Sequence, residues 1–257
     1  EDMLRYMRSL SVRPNLSMYS QLVQAWAGSG RPEAESRIHK IQNEMTGSGI
    51  QPNQVFCNIL LRFYGTRGNV RGMTAVLKDM NALGISLDSI GTTHVVYCYA
   101  RVGDVYRAQQ HMESINGERE PDLKAQSVQN VLQAYRTALS DKSKSRLERE
   151  RLLSNANELV KTTQLDSEDS QDRMIGMLMD LYARFGSLRD VQETFNLIKK
   201  PTAVAYGIFF KAYGNANRAE YATERFHRLL AEEYRPALDL SVFNTVMDSW
   251  VKSTAID

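Results

Sequence analysis

"SMYSQLVQAWAGSG", Ser17–Gly30, follows a Pro-Asn pair, Pro14-Asn15, and ends on glycines. Its large apolar residues are Tyr19, Leu22, Val23 and Trp26. This i, i+3, i+4, i+7 spacing places them on one face of an α-helix. The same face returns at Cys57, Leu60, Leu61, Tyr64 and at Thr92, Val95, Val96, Tyr99. It returns again at Val128, Val131, Leu132, Tyr135 and at Ile175, Leu178, Met179, Tyr182. Tyr206, Phe209, Phe210, Tyr213 and Phe243, Val246, Met247, Trp250 complete the series. The closing aromatics, at 26, 64, 99, 135, 182, 213 and 250, are spaced by 38, 35, 36, 47, 31 and 37 residues. Near-constant periods in this range signal stacked supersecondary units.

Each repeat has a second half. Four residues past the closing aromatic stands Gly30, Gly68, Gly103 or Gly186, or Asn217 in the sixth repeat, residues that tolerate the left-handed conformation ending a helix. A second amphipathic helix follows, with faces such as Ala34, Ile38, Ile41, Met45 and Met73, Val76, Leu77, Met80. Others are Ala108, His111, Met112, Ile115; Val191, Thr194, Phe195, Ile198; and Ala222, Phe226, Leu229. Turns such as "GSGIQPN" and "ALGISLD" close the repeat, and Asn15, Asn53, Asp88 and Asp122 are good N-caps for the next helix. No repeat buries its apolar face alone, so stacking supplies the core. The fourth repeat departs: "SDKSKSRLERERLLSNANELV" calls for a longer charged second helix or a protruding loop. Its Lys142, Lys144, Arg146, Arg149 and Arg151 read as a solvated face, or as a docking element for RNA or protein.

Composition bounds the function. The 257 residues are 42% hydrophobic and 24% charged, the balance of a folded chain. With 32 basic against 30 acidic side chains the formal charge is +2, so bulk charge gives little reason to coat nucleic acid or membrane. A local basic stripe is compatible with that balance. No apolar run reaches bilayer-spanning length. Cys57 and Cys98 lie in apolar helical patterns and read as buried thiols of a reducing compartment. His39, His94, His111 and His227 are scattered, with no metal-ligand spacing. No phosphate loop or nucleophile elbow is present, so neither catalytic residues, metal, cofactor nor small-molecule substrate is expected. His111, on an apolar face, reads as a core histidine. "EDMLRYMRSL" shows no targeting segment. Residues 1–13 read as the end of a preceding repeat and 239–257 as a partial seventh, an excerpt of a longer array.

The stretches "MYSQLVQAWAGSGRPEA", "FCNILLRFYGTRGNVRGMTAVLKDMNALGISLD" and "VFNTVMDSW" resemble the pentatricopeptide repeat family. That pattern runs aromatic, polar, two aliphatics, Ala-Tyr, then Gly, an aliphatic helix, Met and Gly-Ile-x-Pro-Asp. A tetratricopeptide unit would carry Leu-Gly inside its first helix and an Ala-rich crossing, and neither recurs. The resemblance implies an all-α fold, a right-handed α-solenoid of helix-turn-helix repeats about 35 residues long. Over 1–257 it forms a single segment with repeats at 14–52, 53–87, 88–122, 123–170, 171–201 and 202–238. It also implies single-stranded RNA as partner, about one base per repeat, in a mitochondrion or chloroplast.

By the same resemblance two residues per repeat read a base: one just after the opening of the face, the other at the repeat's end. They are Ser20 with Asn53, favouring A; Asn58 with Asp88, favouring U; and Thr93 with Asp122, favouring G, although two extra residues follow Asp122. Short polar side chains hydrogen-bond exposed base edges, and neighbouring aliphatic or aromatic side chains sandwich the base. The matching positions then hold Gln129, Gly176 and Gly207; Asn244 restores a polar reader, and Asp239 faces Gly207 without a partner. The expected function is RNA binding that supports processing, stability or translation. The alternative is a protein-interaction scaffold within an organellar ribonucleoprotein, favoured by near-neutral charge and the two glycines.

Overall fold

A computed structural model of the chain describes residues 13–231 and 240–254. The helix expected over residues 1–13 falls, except for Arg13, outside the described residues, as does Asp239. Among the described residues there are thirteen helices and no strand. In the N-terminal body, Glu1–Asn116, these are α1 (Leu16–Gly28), α2 (Ala34–Gly47), α3 (Gln54–Arg67), α4 (Val70–Ala82), α5 (Ser89–Val102) and α6 (Val105–Glu113). In the C-terminal body, Gly117–Asp257, they are α7 (Pro121–Leu139), α8 (Arg146–Thr162), α9 (Glu168–Phe185), α10 (Leu188–Phe195), α11 (Ala203–Asn215), α12 (Ala219–Ala231) and α13 (Leu240–Thr254).

Each body is a stack of helix pairs. Odd-numbered helices pack on one another, α1 on α3 on α5 and α7 on α9 on α11 on α13, while each even-numbered helix packs against the odd one before it. The apolar faces meet in this arrangement: Leu60, Leu61 and Tyr64, Val131, Leu132 and Tyr135, and Phe209, Phe210 and Tyr213 are all buried. On the even helices Ile38, Ile41 and Met45, Met73, Val76 and Met80, and Ala222, Phe226 and Leu229 are buried too. Cys57 and Cys98 are both free and buried. Burial raises the Cys98 thiol to about 11, and burial together with the Asp79 charge does the same for Cys57. His111 is half-buried against Tyr99, the rings stacked at 5.7 Å.

The closing aromatics do more than fill space, because their polar tips reach back to the second helix of the preceding pair. Tyr64 Oη lies 3.4 Å from His39 Nε2 on α2. Tyr213 donates to Gln192 Oε1 on α10 at 3.3 Å, and Trp250 Nε1 donates to Thr223 Oγ1 on α12 at 2.7 Å. An aromatic with a polar handle suits such a place: the Tyr64 and Tyr213 rings are buried, Trp250 is partly exposed, and each tip has a partner. The residue after the aromatic is small where odd helices meet closely. A Cβ on Gly65 would stand 2.9 Å from the His94 carbonyl oxygen of α5, and one on Gly214 would stand 2.8 Å from Ser249 Cα of α13.

Three local expectations change. Gly68 and Gly103 end their helices left-handed, as does Asn217 with φ 56°, but Gly186 has φ −105° and ends α9 without that turn. Asp122 is not an N-cap: it is the second residue of α7, behind Glu120 and Pro121. On α13 the buried stripe is Val242, Val246 and Ser249, while Phe243, Met247 and Trp250 are exposed. The small Ser249 lets α13 close on Gly214, and this turns the stripe one residue from the expected face. The charged fourth-repeat segment is a second helix, α8, opened by a capping box in which Ser145 and Glu148 bond each other's backbone amides. Its apolar side, Leu153, Ala156, Leu159 and Val160, is buried, and Arg146, Glu150 and Arg151 face water.

Three stability outcomes follow. Gly65→Ala is expected to destabilise by about 1–3 kcal/mol through overpacking against backbone, although alanine favours a helix by about 1 kcal/mol. Gly176→Ala and Gly207→Ala, with nothing within 4 Å of the new Cβ, are expected to stabilise by up to about 1 kcal/mol; thermal melts followed by circular dichroism read all three. Ser145→Ala removes the capping box and is expected to cost about 0.5–2 kcal/mol, measured by urea titration.

Candidate nucleic-acid interface

The structure gives the polar positions a common register. Ser20, Asn58 and Thr93 are each the fifth residue of α1, α3 and α5, and lie five residues after the N-caps Asn15, Asn53 and Asp88. Gly207 stands in the same place on α11, five residues after its N-cap Thr202. The N-caps follow from the sequence: each short polar side chain accepts a backbone N–H in the first turn, Asn53 from Phe56 at 3.0 Å and Asp88 from Gly91 at 2.7 Å.

Asn58 and Asp88 are brought together. Asn58 Nδ2 donates to the Asp88 carboxylate, 3.0 Å from Oδ2 and 3.2 Å from Oδ1, so the cap of α5 also holds the fifth residue of α3. Ser20 and Thr93 turn their hydroxyls onto their own helices, donating to the Leu16 and Ser89 carbonyls at 2.9 Å each. Asn53 is exposed at its cap. Asn244 is exposed on α13, the fifth residue of that helix. Asp122 is exposed but stands seven residues before Gln129 rather than five, because α7 starts a turn earlier; Lys124 occupies the equivalent register.

Other residues share the helical face of these fifth positions. One turn before the fifth position lie Val55, Ile90 and Val204, apolar yet 61%, 50% and 72% exposed. One turn after it lie Arg62 on α3 and Lys211 on α11, both exposed, and Asp248 on α13; on α9 Gly176 is the ninth residue rather than the fifth, and Asp180 lies one turn after it. These flanking residues were readable from i−3 and i+4 spacing, which puts them on one helical face. His94, beside Thr93, is held below the usual histidine range, first by burial and then by the Arg62 charge, with Asp88 opposing.

The C-terminal body presents a different surface. Between α7, α9 and α11 lies a depression of about 660 Å³, with Leu132, Met177, Leu181 and Ile208 in its lining and Gly176 in its wall. Arg136, Asp169, Asp172, Arg173, Asp180 and Lys200 line it as well, Asp180 already paired with Arg184 at 2.8 Å. Where the N-terminal body has Asn58, this groove has Gly176 among apolar and charged neighbours. Among the described residues no cluster of three metal-ligating side chains forms, and no helix is long and apolar enough to cross a membrane.

A family model of the pentatricopeptide repeat domain matches residues 2–67. A pentatricopeptide repeat-containing protein of Arabidopsis thaliana is 24% identical over 106 residues, 41% of this chain and 18% of that protein. The solved structure of the pentatricopeptide repeat protein PPR10 from maize matches 98% of this chain with a TM-score of 0.70 at 20% identity. PPR10 in complex with an 18-nucleotide psaJ RNA element matches 97% with a TM-score of 0.64 at 19% identity. The chain spans about a third of the solved chains' length, 34%. The fold is that of a helical-repeat solenoid, and the N-terminal stretch over residues 2–67 is similar to the pentatricopeptide repeat domain.

Proposed function

We propose that the chain binds single-stranded RNA, with the odd-helix face of the N-terminal body as the base-reading surface. The carrying observation is the line Val55, Asn58, Arg62 on α3, with Asp88 bonded to Asn58. It sets an exposed aliphatic for stacking, a polar couple for a base edge and a cation for phosphate on one helical face. Ser20 with Asn53 is the second reading pair; Thr93, Asp122 and Asn244 are the remaining candidates. The RNA complex of the structurally similar PPR10 supports the same partner. The setting that fits is an organelle, with the protein supporting RNA processing, stability or translation.

Asn58→Thr recreates the Thr-with-Asp pair and is expected to move that repeat's preference from U toward G. The change should be at the low end of the about 1–3 kcal/mol seen for a base-edge contact, or roughly fivefold in affinity at 1 kcal/mol. Fluorescence anisotropy with short RNAs differing at one base measures it, and the salt slope should be about −0.7 per phosphate contacted. An unchanged preference in the folded variant would leave Asn58 a surface polar residue.

A second reading applies to the C-terminal body, favoured by its glycine-walled apolar depression: this groove contacts a protein of the same assembly instead of bases. Gly176→Asn separates the two. There is room for the side chain, with nothing within 4 Å of a Cβ, and Thr202 caps the next odd helix. A new base dependence in the variant would show that RNA runs through this groove; unchanged RNA binding is the expectation of the protein-contact reading.

A further inference from the structure

The reading surface leaves one feature unused, the space beneath the Asn58 carboxamide. Gly91 is the third residue of α5, and a Cβ there would stand 2.7 Å from Asn58 Oδ1, 2.7 Å from Leu87 Cδ1 and 3.0 Å from Asp88 Oδ1. The third place holds Met18 in α1, Phe56 in α3 and Ala205 in α11. Asn58 Oδ1 occupies the recess, buried and without a hydrogen-bond partner. An amide carbonyl hidden from donors is unfavourable. It is held there because the amide nitrogen donates to both carboxylate oxygens of Asp88, a charge-assisted bond.

We infer that Gly91 is a positioning residue: its missing side chain lets Asn58 fold back onto Asp88 and close the reading pair when no RNA is bound. The inference rests on the RNA reading proposed above. In the closed pair the amide is engaged by Asp88 and the carbonyl is buried, so Asn58 has little left for a base edge. RNA must draw the carboxamide outward, while Asp88 keeps its bond to the Gly91 N–H. A protein whose competent state is only partly populated binds more weakly by that fraction, and the recess thereby lowers affinity at this repeat. A side chain at 91 fills the recess. The atoms it would meet are all far ends of side chains, which shift without moving α5, and alanine suits a helix better than glycine.

Gly91→Ala is the test, with Gly91→Ser as a second variant. In the wild type, without RNA, the Asn58 side-chain amide protons should exchange slowly with solvent; in the variants that protection should vanish. Binding of a short uridine-containing RNA should tighten about three- to tenfold in Gly91→Ala, with U preference retained. A wild-type Asn58 amide that exchanges as fast as an exposed asparagine overturns the inference without any RNA measurement. Variant affinity equal to wild type overturns it while leaving the RNA reading in place, provided Asn58→Thr still changes base preference. Failure of both wild type and variant to bind any single strand overturns the RNA reading and the role of Gly91 with it.

Discussion

Within each body, the close approach of one odd helix to the next is the constraint on which the rest depends. At Gly65 the α3 backbone meets the His94 carbonyl with no room for a methyl group, and at Gly214 α11 meets α13 in the same way. Between α3 and α5 the approach draws the N-cap Asp88 beside Asn58, the fifth residue of α3. It also puts the closing aromatics within reach of the preceding even helix, where Tyr64, Tyr213 and Trp250 each find a polar partner. Core burial, pair-to-pair linkage and the reading register are thus consequences of one spacing. A solenoid whose contacts are nearest-neighbour has no other core to correct an error in it.

Much of this was legible in the sequence, because a helical face repeats at i, i+3, i+4, i+7 regardless of what covers it. Tyr206, Phe209, Phe210 and Tyr213 are buried as their spacing required, and so are Val131, Leu132 and Tyr135. What was not legible depended on the neighbour. The stripe of α13 turns by one residue because Ser249 is small opposite Gly214, a property of two helices 35 positions apart rather than of either pattern. Asp122 has the chemistry of a cap, yet Pro121 is at home in a first helical turn and the helix begins ahead of it. The charged segment offered either helix or loop; the Ser145–Glu148 box decides for a helix, and the apolar side that seats it begins only at Leu153.

At the candidate site, the sequence supplied the pairs and the structure supplied their state. Asn58 and Asp88 are 30 residues apart, and only the stacking of α5 on α3 puts them in bonding distance. The flanking Val55, Ile90 and Arg62 were visible as helical neighbours but gained meaning only from their exposure, since an aliphatic in an amphipathic repeat is by default core. The charge one turn on differs from helix to helix: Arg62 follows Asn58 in α3 and Lys211 follows Gly207 in α11, while Asp180 and Asp248 follow Gly176 and Asn244 in α9 and α13. On the proposed reading, phosphate is therefore attracted at the first two and repelled at the others.

The double duty of Asp88 reaches beyond this repeat. One carboxylate closes the first turn of α5 and holds Asn58 of α3. Asn15, Asn53 and Thr202 cap their helices in the same register. Side chains able to cap are few: Asn, Asp, Ser, Thr and, more weakly, Gly. On the proposed reading, the second letter of each recognition pair is therefore drawn from a vocabulary set by folding before any base is considered. A change of letter within that set alters preference at little structural cost, whereas a change outside it weakens a helix start by about 0.5–2 kcal/mol. The brevity of the recognition alphabet is then a property of helix ends rather than of RNA.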